Sequence, residues 1–214
     1  MSIAFLHTAA LHQATFDRLL AERAFHGPVH HLVRDDLLQT ARDLGLDAVA
    51  EDVTRLLTDL AKNADAVVCT CSTLGPLADL VAERHPQVIR IDRPLMEAAL
   101  TCGPNILLAY CLESTSAPSL NLLADCARAA ELPLSPRPLH CGTAWSHFER
   151  GDMLAYAAAI ARDIDAEIAA DGRPDCILLA QASMQVAAPL LAEHGLPVLT
   201  LPPLAADRAI ALTR

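Results

Sequence analysis

Short β-rich apolar runs alternate with longer segments of helical periodicity along most of the chain. The runs predicted as strands cover residues 2–7, 29–33, 66–70, 87–91, 105–110, 132–140, 176–180 and 197–201. The segments predicted as helices cover residues 14–25, 50–64, 76–85, 119–131 and 153–172. Alternation of this kind is typical of βαβ units, in which helices cover the faces of a parallel sheet. The sequence therefore predicts an α/β fold.

Two stretches of the chain repeat the same layout. DAVVCTCSTLGPLADLVAERHPQVIRI at 65–91 and DCILLAQASMQVAAPLLAEHGLPVLTL at 175–201 each run from an Asp through a buried strand, a polar turn and a helix to a last strand. We therefore predict two pseudosymmetric halves, each with a parallel sheet of about four strands. The first half is predicted over residues 1–94 and the second over 95–202, while a closing helix at 203–214 packs back on the first. Ligands of such sheets bind beyond the carboxyl ends of the strands, so the active site is expected in the cleft between the halves.

Composition narrows the choice of partners. The chain has 214 residues, of which 53% are hydrophobic, and its formal net charge is -10. An acidic chain with no basic run disfavours nucleic acid and anionic membranes as partners. Its apolar runs, such as NILLAYCL at 105–112, are too short to span a membrane. The first residues lead directly into a strand and show no signal-peptide pattern, so a cytoplasmic protein with reduced cysteines is predicted.

The polar turns that follow the strands carry most of the candidate site residues. These candidates are His7, Thr8, Ser72, Thr73, Ser114, Thr115 and Ser183. Hydroxyl groups beside the unpaired N–H groups of a helix start make a site for a carboxylate or a phosphate. The alternative interpretation is that the hydroxyls are ordinary N-caps. The chain contains no GxGxxG or GxxxxGK fingerprint, which disfavours a nucleotide.

The stretch VVCTCSTLG at 67–75 holds two thiols at the exit of a buried strand. Cys69 lies within the apolar run, so we predict that it packs in the core. Cys71 lies at the start of the following helix, where the helix dipole favours a thiolate and lowers the pKa. The sequence therefore assigns acid/base chemistry to Cys71.

These motifs resemble those of the aspartate/glutamate/hydantoin racemase superfamily, which includes arylmalonate decarboxylase and maleate isomerase. The first active-site turn of that family is a strand ending in C, then N or S, then T, and it matches Cys71, Ser72 and Thr73. The corresponding turn of the second half aligns with Gln181, Ala182 and Ser183. The resemblance implies an enzyme without cofactor or metal that transfers a proton at the carbon beside a carboxylate, often as a homodimer. It also implies that Thr8, Ser72, Thr73, Ser114, Thr115 and Ser183 bind the substrate carboxylate.

One position departs from the family pattern. Gln181 stands where the racemases have a second cysteine, and an amide does not exchange a proton at neutral pH. Three interpretations remain open: His7 or a water serves the second face, Cys71 works alone in a decarboxylase or a cis–trans isomerase, or the protein only binds small carboxylates. We expect a racemase-like isomerase of a small amino acid or related acid, in which Gln181 is a polar ligand to the intermediate. Arg34, Arg90 and Arg93 are further candidates for a second substrate carboxylate.

Overall fold

The computed structural model describes residues 1–214, which form two α/β units. The first unit comprises Met1–Pro94 and Pro202–Arg214, and the second comprises Leu95–Leu201. The strands of the first unit are β1 (Ile3–His7), β2 (Val29–Val33), β3 (Ala66–Cys69) and β4 (Val88–Arg90). Its helices are α1 (Leu11–Glu22), α2 (Asp35–Leu44), α3 (Ala50–Ala61) and α4 (Gly75–Ala82), with a 3-10 helix at Leu46–Val49.

The first sheet is parallel throughout, in the order β2-β1-β3-β4. Every residue of the central strands β1 and β3 is buried, as expected for strands that are covered on both faces. The edge strand β2 is only partly buried, and it carries His30 and His31. Because β1 and β3 are parallel neighbours, their carboxyl ends are adjacent, and the residues that follow His7 and Cys69 lie at the same edge of the sheet.

The second unit repeats this arrangement. Its strands are β5 (Asn105–Tyr110), β6 (Ser135–His140), β7 (Cys176–Leu179) and β8 (Val198–Thr200), parallel in the order β6-β5-β7-β8. Its helices are α6 (Glu113–Ala129), α7 (Gly142–Glu149) and α8 (Met153–Asp171), with a long 3-10 helix at Ala182–His194. Pro136 and Pro138 lie on β6, where an edge position tolerates a residue without an N–H group. The prediction of two pseudosymmetric halves with four-stranded parallel sheets is confirmed.

Two helices connect the units along the chain. Helix α5 (Arg93–Leu100) follows β4 and leads into the second unit, and α9 (Leu201–Leu212) follows β8 and returns to the first. No helix has both the length and the apolar character that a membrane span requires.

Several helices differ from the sequence prediction. Helices α2 and α7 were not predicted, and α6 begins six residues before the predicted start because it continues through Pro118. A proline in a helix removes one hydrogen bond, a loss that this helix tolerates. The segment after β7 is a 3-10 helix that contains Pro189, whereas an α-helix was expected there.

Candidate functional site

Cys71 lies two residues beyond the end of β3, in the turn of residues 70–74 that precedes α4. We call this segment the Cys71 turn. Cys69 is 0% exposed inside the strand, in agreement with its predicted packing role, whereas Cys71 is 7% exposed. Cys71 therefore keeps a small exposed surface, and Cys69 has none.

Hydrogen-bond donors surround the Cys71 sulfur. The groups that lower the pKa of the thiol are the hydroxyls of Thr8 and Thr73 and the backbone N–H groups of Thr73 and Leu74, of which the Leu74 N–H also donates to the Cys71 carbonyl over 3.1 Å. Thr8 is the first residue after β1, so the sheet register brings it beside the Cys71 turn. Donors of this kind stabilise negative charge on the sulfur.

Burial nevertheless raises the pKa of the Cys71 thiol above its ordinary value of 9.0, while the four hydrogen bonds act in the opposite direction. The sequence predicted a lowered pKa, and that prediction is wrong for the unliganded protein. The helix-dipole argument counted the N–H groups of the turn but not the loss of water around a sulfur that is almost fully covered. The resting form of Cys71 is therefore the neutral thiol. The four donor groups would stabilise the thiolate if it formed.

Ser72 and Thr73 do not occupy the N-cap position of α4. That position is Leu74, which makes no side-chain cap. Ser72 and Thr73 instead form the turn itself, in which the N–H of Gly75 donates to the carbonyl of Ser72 over 3.1 Å. The interpretation of Ser72 and Thr73 as N-caps is therefore wrong.

His7 is the last residue of β1 and its side chain is fully buried. Its Nδ1 lies 2.9 Å from the hydroxyl oxygen of Thr70, and its Nε2 lies 2.8 Å from Nδ1 of His31. Burial, followed by the nearby His12 and His31, lowers the pKa of His7 to about 3. The ring is neutral, and both of its nitrogens have partners within the protein. Direct contact of His7 with a ligand, as the sequence suggested, would require one of these partners to be displaced.

Gln181 occupies the position in the second sheet that Cys71 occupies in the first. Cys69 ends β3 and pairs with Leu6, while Leu179 ends β7 and pairs with Ala109. Gln181 follows Leu179 by the same two residues, so the alignment made from the sequence agrees with the sheet register. We call residues 180–184 the Gln181 turn.

The side-chain oxygen of Gln181 is bound by backbone N–H groups. The N–H of Cys111 donates to it over 2.5 Å and that of Leu112 over 3.1 Å. Both N–H groups belong to the loop between β5 and α6, which begins at Glu113. The amide oxygen of Gln181 thus accepts hydrogen bonds from the N–H groups at this helix start. Its Nε2 group makes no hydrogen bond within the chain. The amide nitrogen is the part of Gln181 that remains able to donate to a ligand.

The other candidates of the second unit lie close to these loops. Ala182 and Ser183 begin the 3-10 helix after β7, and both are buried. Ser114 and Thr115 lie in the first turn of α6, whose N-cap, Leu112, makes no side-chain cap, so these hydroxyls are not N-caps either. Thr115 is buried on the inner face of the helix.

Ser183 has a partner that the sequence did not indicate. Its hydroxyl oxygen lies 2.9 Å from the hydroxyl of Tyr156, which also donates to the sulfur of Cys111 over 3.5 Å. Burial raises the pKa of Cys111 to about 12 and raises that of Tyr156 above its usual range. Both groups therefore stay protonated, and Cys111 is a core thiol rather than a reactive one.

The candidate arginines are all ion-paired. Arg34 pairs with Asp36, whereas Arg90 and Arg93 both contact Asp79. Arg90 is buried and also forms a bidentate pair with Asp92. No group of three or more His, Cys, Asp and Glu side chains could hold a metal ion.

Solved structures of several enzymes share this fold. Glutamate racemase from Francisella tularensis subsp. tularensis SCHU S4, solved with D-glutamate, matches with a TM-score of 0.73 and 13% identity, over 99% of this chain and 80% of that protein. Allantoin racemase from Pseudomonas fluorescens matches with a TM-score of 0.60 and 20% identity, over 100% of this chain and 91% of the racemase. For arylmalonate decarboxylase the TM-score is 0.64 and the identity 18%, with coverages of 100% and 93%.

The sequence matches no protein-family model and no curated protein. At identities of 20% and below, the structural likeness establishes the fold, and the resemblance to the racemase superfamily is confirmed at that level.

Proposed function

We propose that this protein is a racemase-like isomerase that transfers a proton at the carbon beside the carboxylate of a small amino acid or related acid. Cys71 is the acid/base group. The observation that carries the proposal is the set of four donor groups beside the Cys71 sulfur. The Cys69 sulfur differs, because it donates to the carbonyl of Cys71 and no hydroxyl lowers its pKa. The fold shared with glutamate and allantoin racemases gives further support.

The chemistry needs both states of the Cys71 sulfur. As a thiolate, it removes the proton from the α-carbon, and the electron pair of the broken C–H bond moves into the substrate carboxylate. In the reverse direction it acts as a thiol and delivers a proton to the same face of that carbon. The hydroxyls of Thr8 and Thr73 and the N–H groups of Thr73 and Leu74 offset part of the cost of the buried thiolate. Ser72 and Thr73, together with Ser114, Thr115, Ala182 and Ser183, are proposed to contact the substrate.

We assign Gln181 a role in binding rather than in proton transfer. Its oxygen is fixed by two backbone N–H groups, so its Nε2 hydrogens are the donors left for the negatively charged intermediate. The proton for the opposite face of the carbon then comes from water, since an amide cannot supply it and the nitrogens of His7 already have partners. The hydroxide that remains takes the proton that Cys71 removed, which restores the thiolate and water.

A second candidate is decarboxylation by Cys71 alone. The raised pKa of Cys71 favours this reaction, because a neutral thiol can donate a proton but cannot remove one from the substrate. In this reaction a malonate-type acid loses CO2, and the electron pair of the broken C–C bond passes into the remaining carboxylate. The Cys71 S–H then protonates the carbon, and the thiolate regains its proton from water. Arylmalonate decarboxylase has the same fold.

A substrate screen tests the proposal and separates the two reactions. Single enantiomers of small amino acids, hydroxy acids and hydantoins are incubated with the protein without added cofactor, and optical rotation is followed. In parallel, substituted malonates are assayed for release of CO2. We expect loss of optical rotation for at least one acid, and no loss with the Cys71→Ala variant. Release of CO2 from a malonate, with no loss of optical rotation by any of the single enantiomers, would show that the protein is a decarboxylase and not a racemase. Binding of an acid, by calorimetry, with neither reaction would overturn both.

A further inference from the structure

A continuous chain of polar side chains leads from the protein surface to the Cys71 turn. The carboxylate of Asp17 lies 3.0 Å from Nε2 of His31, and Nδ1 of His31 lies 2.8 Å from Nε2 of His7. Nδ1 of His7 in turn lies 2.9 Å from the hydroxyl oxygen of Thr70, the residue that precedes Cys71. The side chain of Asp17 is 60% exposed and that of His31 is 12% exposed, whereas His7 is fully buried. The chain thus joins solvent to a buried hydroxyl through two imidazole rings.

The Asp17 carboxylate can only accept hydrogen bonds, and this fixes the direction of every bond in the neutral chain. With both rings neutral, Nε2–H of His31 donates to Asp17 and Nε2–H of His7 donates to Nδ1 of His31. Nδ1 of His7 is then an acceptor, and the hydroxyl of Thr70 donates to it. Each contact has one donor and one acceptor, so the neutral chain is fully satisfied.

One added proton reverses the inner bonds. A proton on Nδ1 of His31 makes that nitrogen a donor, so Nε2 of His7 becomes the acceptor and His7 carries its single hydrogen on Nδ1. His7 then donates to the oxygen of Thr70, whose own hydrogen turns away. The structure provides the alternative acceptor, since the Thr70 hydroxyl oxygen lies 3.1 Å from the carbonyl of Leu6. That carbonyl also receives the N–H of Thr70 over 2.9 Å, so it has a partner in both states.

We propose that Asp17, His31, His7 and Thr70 form a proton-coupled tautomer switch. Uptake of one proton at the Asp17–His31 end moves the hydrogen of the neutral His7 ring from Nε2 to Nδ1. The Thr70 hydroxyl turns from His7 to the Leu6 carbonyl in response. A change of pH at the surface thereby changes a hydrogen bond inside the Cys71 turn without placing a charge there. This inference does not depend on which reaction the protein catalyses.

The surroundings of His7 keep the added proton on the outer part of the chain. The titratable and charged groups that face His7 are His12, on α1, and His31, on β2, while Asp17 on α1 faces only the outer ring. The remaining neighbours of the ring are the aromatic side chains of Phe5 and Phe16. A buried ring beside two other histidines and two phenyl groups is a poor place for a positive charge, and the carboxylate of Asp17 attracts the charge to His31.

Nitrogen NMR of the full-length protein tests the switch. In protein labelled with 15N at histidine, the two-bond couplings between ring protons and ring nitrogens distinguish the Nε2–H tautomer, the Nδ1–H tautomer and the charged ring. The titration runs from about pH 8 to about pH 5, where histidines normally change charge. We expect His7 to change from the Nε2–H to the Nδ1–H tautomer while remaining neutral, at the pH at which His31 becomes charged. A His7 ring that keeps one tautomer while His31 titrates would overturn the proposal.

Two variants sharpen the test. Asp17→Asn, at an exposed position that does not endanger the fold, removes the carboxylate that favours the charged His31. It should move the tautomer change of His7 to lower pH. His12→Phe is the matched control, because His12 lies beside His7 with ring centroids 6.2 Å apart but takes no part in the chain. It should leave the tautomer change of His7 in place. An unaltered tautomer change of His7 in Asp17→Asn would also overturn the proposal.

Discussion

The side-chain oxygen of Gln181 accepts the backbone N–H of Cys111 over 2.5 Å, at the position where the first half of the fold presents the Cys71 thiol. The two halves have the same strand order but have diverged in chemistry at this point. In the first half, donors surround a thiol. In the second half, an amide oxygen occupies the N–H groups at the start of α6, so this turn holds an amide where the first half holds a thiol.

Two substitutions of Gln181 separate its role in stability from its proposed role in binding. Gln181→Ala leaves the N–H groups of Cys111 and Leu112 without a partner, so the free energy of unfolding should fall by about 1–3 kcal/mol. Gln181→Glu keeps an oxygen acceptor but loses the Nε2 donors, so its stability should equal or exceed that of the wild type while substrate affinity falls. Urea unfolding and calorimetry measure the two effects, and Gln39→Ala on the exposed face of α2 is the control. Equal loss of stability in both Gln181 variants would contradict this division.

Alkylation of Cys71 should require a higher pH than alkylation of an ordinary cysteine. Because burial raises its pKa above 9.0, little thiolate is present at neutral pH, and alkylation by iodoacetamide should be slow until the pH exceeds about 9. Thr8→Val removes a donor to the thiolate, so the pKa should rise further and alkylation should slow at every pH. Peptide mass spectrometry follows the modified Cys71, and Thr54→Val serves as the control because its hydroxyl bonds to the carbonyl of Ala50 within α3. Rapid alkylation at pH 7 would show that the thiolate is the resting form.

Arg90 and Arg93 both contact Asp79 but should differ strongly in their contribution to stability. The side chain of Arg90 is 4% exposed and also pairs with the fully buried Asp92, whereas Arg93 is 40% exposed. Arg90→Met leaves the Asp92 carboxylate buried without its partner and should lower the free energy of unfolding by about 3–5 kcal/mol. Arg93→Met should cost less than about 1 kcal/mol. Urea denaturation of the two variants makes the comparison, and similar losses would be evidence against a buried ion pair.

The hydroxyl of Tyr156 should contribute to stability through Ser183. Tyr156→Phe removes the 2.9 Å hydrogen bond and leaves the buried Ser183 hydroxyl without this partner, at a cost of about 1–2 kcal/mol. Tyr110→Phe is the matched control, since Tyr110 is also buried but its ring stacks on His140. A double-mutant cycle with Ser183→Ala isolates the pair. Additive losses in the double variant would mean that the two hydroxyls do not interact.

The sequence predicted the fold well because its central strands are continuous apolar runs. NILLAY was predicted with the bounds of the central strand β5, and VHHLV with those of the edge strand β2. No strand or helix was predicted between residues 34 and 49, so α2 was missed. Its sequence DDLLQTARDL does have apolar residues at helical spacing. The start of α6 was predicted at residue 119, directly after Pro118, whereas the helix begins at Glu113 and continues through that proline.

The site was predictable only in part. The position of Cys71 beside a helix start follows from the turn sequence, but its raised pKa depends on how much of the sulfur is covered, which no local pattern reveals. The partners of Gln181 are backbone N–H groups, which every sequence contains. His31 contacts His7 because parallel pairing places His31 opposite Phe5, and His7 lies two residues further on the same face. Contacts of this kind require the register between strands.

Proton exchange in deuterated water tests the central claim most directly. The acid identified by the substrate screen is incubated with the wild type, Cys71→Ala and Cys69→Ala, and proton NMR follows the loss of its α-hydrogen signal. We predict that Cys71→Ala exchanges about 100-fold to 10,000-fold more slowly than the wild type while still binding the acid. Cys69→Ala, which removes a thiol two residues away, should exchange like the wild type. Exchange by Cys71→Ala at the wild-type rate would contradict the assignment of Cys71 as the acid/base group.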